Sequence, residues 1–263
     1  MSGAGDVLLE ARGVRFAYHP AKPVICGASL ALDRGAMGAI IGPNGCGKST
    51  LIRLLAGLIV PSAGEIEYDG RPLALIGPQA LAKKVAYVPQ NTARTFPFTA
   101  LEIVLTGRTP YIPRFEFEGR RDVEKAWQSL ETVGVPHLAQ RRVTELSGGE
   151  RQLVSVARAL AQEPACLLMD EPSASLDLKH RAALMRTLAD IRSRTKLTVL
   201  MVTHDLSLLD PGFDVIFAMR CGTVAAQGAP SEVLRNSVLA DIYDDLHVRT
   251  HRLEGRTFVW SEV

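Results

Sequence analysis

Short apolar runs separated by polar punctuation open the chain. Residues 7–10, 14–18 and 28–32 read as strands and predict a small β region ahead of the main core. Residues 36–41 form an unbroken apolar run ending at Gly42, the pattern of a parallel strand buried on both faces. At Ser49 the period changes. Leu51, Leu54, Leu55 and Leu58 recur at i, i+3, i+4 and i+7, which predicts an amphipathic helix over 49–58, with Gly57 near its end and Pro61 beyond it. Strand character returns at 65–68 and 84–88, around the turn dipeptide Asp69-Gly70. Residues 91–165 are mostly helical, with helices over 123–133 and 148–161, and are interrupted by a Pro-, Arg- and aromatic-rich stretch at 107–121. Buried strands follow at 165–169 and 197–202. Apolar strands alternating with helices predict an α/β core built on a parallel sheet.

Composition narrows the class. The 263 residues are 47% apolar, with 30 basic and 28 acidic side chains and a net charge of +2. A chain this apolar and this close to neutral is not disordered, and its charge gives no broad basic footprint for nucleic acid. A mean hydropathy of +0.10 raises the question of a membrane span. The longest apolar runs, such as 197–202 with Thr198 inside it, fall well short of the 18–20 residues or so that a spanning helix needs. The N-terminus carries acids early and no apolar signal core, so the expectation is a soluble chain on the cytoplasmic side with no span of its own. Cys26, Cys46, Cys166 and Cys221 are widely spaced, as reduced thiols would be.

Three segments carry chemistry. Gly42-Pro43-Asn44-Gly45-Cys46-Gly47-Lys48-Ser49-Thr50 fits GxxxxGK[ST] between a strand and a helix. Glycines let successive N–H groups point at phosphate oxygens, and the helix N-terminus adds its positive dipole end. Lys48 is expected on the β- and γ-phosphates and Ser49 on Mg²⁺. Cys46, inside this loop at a helix start, is expected to be an acidic, reactive thiol. Second, an apolar strand ends in Asp170-Glu171, placing one carboxylate for a metal and one as a general base for water. Third, Ser147-Gly148-Gly149-Glu150 opens a helix with a capping-box spacing. Two glycines there weaken the helix but leave bare N–H groups, an anion site.

These motifs, in this order and over nearly the whole chain, resemble the ATP-binding subunits of ABC transporters. Gly42 to Thr50 matches the Walker A motif, Leu167 to Glu171 Walker B and Leu146 to Glu150 the signature. The resemblance implies an α/β P-loop NTPase (RecA-like) core over 7–90 and 165–263, with an N-terminal antiparallel β subdomain. It also implies an inserted helical subdomain over about 91–164. Further roles follow from it alone: Tyr18 stacking on adenine, Gln90 contacting Mg²⁺ and the attacking water, Asp177 in the D-loop, and His204 on the γ-phosphate and Glu171. The implied active form is a head-to-tail homodimer sandwiching two ATP molecules, docked on polytopic permease subunits and served by an extracytoplasmic substrate-binding protein. Gly107-Arg108-Thr109-Pro110-Tyr111 resembles an element of the ATPases that drive uptake of iron–siderophores, haem or cobalamin, and it implies a docking surface near 107–121 and the Q-loop that carries Gln90. The chain departs from that subgroup at 208–213, where a helix is usual, and at Met169. A soluble ABC ATPase without a transport partner and an importer of another substrate are the competing readings. A non-hydrolysing module would lack Glu171 or His204, and both are present.

Overall fold

Along the chain the structure, a computed structural model, runs β1 (Val7–His19), β2 (Lys22–Asp33), β3 (Met37–Ile41), α1 (Lys48–Leu55), β4 (Ala63–Tyr68), β5 (Arg71–Pro72) and α2 (Pro78–Ala82). It continues through β6 (Val85–Val88), α3 (Ala100–Leu105), α4 (Arg120–Val133), α5 (Gly148–Ala161), β7 (Cys166–Asp170) and α6 (Leu178–Thr195). The last part holds β8 (Thr198–Val202), β9 (Val215–Arg220), β10 (Thr223–Gly228), α7 (Pro230–Val233), α8 (Asn236–Tyr243), β11 (Val248–Leu253) and β12 (Arg256–Ser261). Residues 6–90, 97–254 and 256–262 are described. Residues 1–5, within the expected signal-free N-terminus, and 91–96, the start of the expected helical block, lie outside them.

The chain divides into two compact units, one formed by the chain up to Ile76 with Thr198 onward, the other by Gly77–Leu197. In the first, β2, β1, β4 and β5 make an antiparallel sheet in that order. The two strands expected at 7–10 and 14–18 are one strand. Gly13 takes φ +57° and the register shifts between Ala11 and Val14, so a bulge interrupts the alternation without ending the pairing. In the same unit β3 lies between β8 and β9, parallel to both, and β10 returns antiparallel to β9. All five residues of β3 and of β8 are buried, which explains their continuous apolar runs. Leu9, Ile25, Leu32, Ile40, Leu51, Ile52, Tyr68 and Phe217 fill this unit's core.

The helix after β3 is shorter than its periodicity predicts. It ends at Leu55, Gly57 turns left-handed at φ +70°, and Leu58 is 57% exposed. Ile52 takes the buried place. After His204 the chain makes only a short 3₁₀ turn at Leu206–Leu208 where the resemblance implies a longer helix.

In the second unit β6 and β7 pair in parallel, Val88 opposite Met169. Around them α3, α4 and α5 pack on one another through Val104, Ala126, Leu130, Leu153 and Val156, all buried. Ala100, Leu130, Ala157 and Leu188 are fully buried in this unit. Among the described residues no helix is long and apolar enough to cross a membrane.

Candidate functional site

In the first unit the buried strand β3 delivers the chain into the loop Gly42 to Gly47. Gly42 sits at φ +142°, and a Cβ there would overlap the Met219 carbonyl oxygen, so glycine is required at the loop's entry. Gly47 caps α1 in the left-handed region at φ +106°, with the Ile25 Cδ1 2.8 Å from where a Cβ would stand. Lys48, the first residue of α1, is 5% exposed. Its Nζ donates to the Gly42 carbonyl at 2.9 Å and the Pro43 carbonyl at 2.8 Å. The ammonium is thus folded back across the loop. Ser49 is half-buried beside it, and Asn44 and Gly45 are exposed. The Tyr18 hydroxyl lies 3.5 Å from Thr50 Oγ1, and its ring, 60% exposed, packs edge-on against Phe16 at 4.8 Å. An aromatic face therefore stands open next to the end of the loop.

His204 follows β8 in the same unit. The Thr203 N–H donates to the Ile40 carbonyl at 3.2 Å, so the strand ends level with the end of β3, and His204 is exposed beyond it. Asp205 caps the next turn by accepting from the Ser207 N–H at 3.1 Å. The expected acidic thiol at Cys46 is overturned. The side chain is buried, and that desolvation raises the thiol pKa against the smaller opposing pull of Lys48. Tyr243, at the end of α8, was not legible from the pattern. Burial pushes its phenol up to about 12, tempered by the Gly42 N–H facing its oxygen.

In the second unit the paired strands set the geometry. With Val88 opposite Met169, Gln90 and Glu171 each stand two residues past the same rung. The Gln90 Nε2 donates to Glu171 Oε2 at 2.6 Å. Glu171 holds a left-handed backbone at φ +49°, an uncommon place for a glutamate. Asp170 is fully buried, and the Tyr87 hydroxyl donates to its Oδ2 at 3.4 Å. Tyr87 carries no sequence signal, since a tyrosine on a strand is ordinary core. A buried carboxylate and an amide oxygen are hard donors of the type Mg²⁺ prefers, so the chemistry of Asp170 and Gln90 in this unit fits that ion.

The signature segment forms the expected capping box. Ser147 Oγ accepts from the Glu150 N–H at 3.2 Å, and Glu150 Oε2 accepts from the Ser147 N–H at 2.7 Å, which holds the Glu150 carboxyl below its ordinary range. A Cβ on Gly149 would meet the Ser175 carbonyl oxygen at 3.3 Å, so the D-loop lies against the signature glycines. Asp177 caps α6 by accepting from the His180 N–H at 2.8 Å, and that bond holds its carboxyl low.

The 107–121 stretch is half internal. Arg108 is 3% exposed. It pairs with Asp122 at 3.1 Å and Glu163 at 2.9 Å, donates to the Ala161 carbonyl at 2.6 Å, and stacks 4.0 Å from the centre of the Tyr111 ring. Tyr111 donates to the Gln162 carbonyl at 2.9 Å. The first half of the segment expected to dock a partner therefore clasps the end of α5, and the exposed half begins after it, with Phe115 and Phe117 each 91% exposed.

The family model described as ABC transporter matches residues 25–174. The chain is 39% identical over 262 residues to the hemin import ATP-binding protein of Nocardia farcinica, covering 97% of this chain and 89% of that protein. Among solved structures it superposes with TM-score 0.83 and 27% identity on an inward-facing ABC transporter of the metal-chelate type, covering 98% of each chain. It superposes with TM-score 0.75 and 26% identity on a dimeric bacterial ABC transporter cassette, covering 85% of this chain and 99% of that one.

Proposed function

Because this chain belongs to the ABC transporter family, as one of its ATP-binding ATPase subunits, we propose that it powers import of a metal chelate of the haem or iron–siderophore class through separate permease subunits. The observation that carries the cargo class is the near full-length identity to a hemin import protein, together with the superposition on a metal-chelate type transporter. The chain would sit at the cytoplasmic face of the membrane, held there by the permease and served by an extracytoplasmic binding protein. The helical part, about 91–164, would be the inserted subdomain, with 7–90 and 165–263 as the core.

Each candidate residue takes a role in this reading. The loop from Gly42 to Thr50, through its backbone N–H groups from Asn44 on, and the Lys48 ammonium hold the phosphates, and Tyr18 offers its open ring to adenine. Ser49, Asp170 and Gln90 would hold Mg²⁺, which when bound neutralises charge developing on the phosphates. Glu171 accepts the proton of a water in line with the γ-phosphate, and His204 donates to that phosphate. The Lys48 ammonium is already turned across the loop, so it needs little reorganisation to meet phosphate oxygens. Ser147, Gly148, Gly149 and Glu150 of a second copy would close on the nucleotide, with Asp177 beside them, excluding water from the reacting atoms. The capping box supports that role, because it orients the helix start with side chains and leaves the glycine N–H groups as donors.

The test is reconstitution with the permease in proteoliposomes. ATP-dependent uptake of a radiolabelled iron chelate is expected. Uptake of an oxyanion in place of any chelate would overturn the cargo assignment. Glu171→Gln is expected to bind ATP, accumulate a closed dimer and hydrolyse very slowly, and near wild-type turnover would remove Glu171 as the base.

A further inference from the structure

Three cysteine residues whose thiols take no part in the proposed hydrolysis lie around one tight turn in the first unit. β9 and β10 are joined by Cys221 and Gly222, with Arg220 opposite Thr223. Both turn residues are left-handed, at φ +48° and +76°. That is the two-residue hairpin geometry in which asparagine or aspartate normally precedes glycine, so a cysteine there bears a strain those residues avoid. The turn is pinned on two sides. The Gly222 N–H donates to the Cys46 carbonyl at 3.1 Å, and the Cys26 N–H donates to the Gly222 carbonyl at 2.8 Å. Cys46 Sγ is buried within the phosphate loop, 3.1 Å from where a Cβ on Gly42 would stand, while Cys221 is exposed. Cys221 is also close enough to act electrostatically on the Cys46 thiol.

The hydrogen bond between Gly222 and Cys46 limits how far apart the two thiol-bearing residues sit. Each Cα is one peptide step from an end of that bond, so the Cα–Cα distance between Cys46 and Cys221 is at most about 8 Å. A disulfide needs roughly 4.4–6.8 Å, within reach of a small shift of an exposed turn.

We propose that Cys221 and Cys46 form an oxidative modification site, at which a peroxide links the two thiols and disables the phosphate loop. The exposed Cys221 thiolate attacks the peroxide O–O bond, giving a sulfenic acid and releasing hydroxide. The Cys46 thiolate then attacks that sulfur, forming the S–S bond and displacing the hydroxyl as water. Two thiols and one hydrogen peroxide become one disulfide and two waters, the sulfurs losing the two electrons that the peroxide gains. Cys46 is the slower partner, because burial keeps its thiol protonated, so the reaction requires prior oxidation of Cys221. The link draws Cys46 out of its place against Gly42 and distorts the N–H cradle. Iron and peroxide together generate hydroxyl radical, so such a brake suits an iron-chelate importer. The fit to iron import rests on the proposed cargo, whereas the thiol chemistry does not.

The experiment treats the purified full-length chain with hydrogen peroxide, blocks free thiols, and maps disulfides by mass spectrometry without reductant. Binding of a fluorescent ATP analogue is measured before oxidation, after it, and after dithiothreitol. A Cys46–Cys221 peptide is expected, with at least a tenfold loss of affinity that reduction restores. Cys221→Ser should bind nucleotide as the unmodified chain does and keep its affinity in peroxide, whereas Cys26→Ser should remain sensitive. A Cys26–Cys221 link, no link at all, or equal sensitivity of Cys221→Ser would overturn the proposal. If the reduced chain bound no ATP analogue, the nucleotide reading would fail instead, and the mapped link would still decide this one.

Discussion

Replacing Arg108 with alanine strips a buried guanidinium from the end of α5, and the size of the effect follows from its neighbours. The Ala161 carbonyl loses a charged donor at 2.6 Å, a loss of about 1.5–3 kcal/mol. Stacking on Tyr111 contributes about 1–2 kcal/mol. The two carboxylates are not stranded. Asp122 still accepts from the Gly119 N–H at 3.1 Å, and Glu163 still pairs with Lys125 at 2.7 Å. The total therefore falls below the sum of a full buried-pair loss and these terms, at about 3 kcal/mol. Trp127 on α4 reports on the second unit, and a Trp260→Phe background leaves it as the sole tryptophan, since the chain has 2. With an urea slope of about 2 kcal/mol/M, the unfolding midpoint followed by Trp127 fluorescence should fall by about 1.5 M. Arg108→Lys should lose more than half as much, because an ammonium cannot stack and fork together. A loss below about 1 kcal/mol, or full stability in the lysine variant, would refute the clasp.

Lys48→Met preserves the bulk of a buried side chain but removes its charge, and should weaken ATP binding on the order of 100-fold, measured by calorimetry. Unchanged affinity would show that the loop N–H groups suffice. Glu150→Gln keeps the cap but not its charge. Because Ser147 holds the Glu150 carboxyl below its ordinary range, the charged form stabilises the fold above that range, and its contribution disappears as pH falls through the lowered value. Thermal melts should show the glutamine variant less stable by up to about 1 kcal/mol at pH 7 and equal to the unmodified chain in strong acid. A gap that persists in acid would remove the charge from the explanation.

The legible parts of this molecule are those whose chemistry is local. The phosphate loop, the Asp170-Glu171 strand end and the capped signature helix each declare themselves within about ten residues, because strand burial, glycine conformation and capping act at short range. What escaped the pattern depends on distant partners. α6 buries only Leu184 and Leu188, so its periodicity is faint. β11 and β12 carry polar residues on both faces and leave Phe258 and Trp260 exposed, so no core stripe marks them. Tyr87 matters through a carboxylate 83 positions away. Arg108 and Tyr111 resembled a surface motif, and only the fold shows that their partners are the last residues of a helix some fifty positions on. Cys46 misled because a helix start favours a thiolate, while burial, invisible in the sequence, opposes it more strongly.

The clasp also makes part of the chain portable. Tyr111 and Arg108 are tied down on one side, and Asp122, bonded to the Gly119 N–H, on the other, so the exposed residues 114–118 between them can vary without disturbing the helix that carries the signature glycines. A segment exchanged between Ile112 and Gly119 would arrive on anchors already in place, and chimeras cut there should retain their folding.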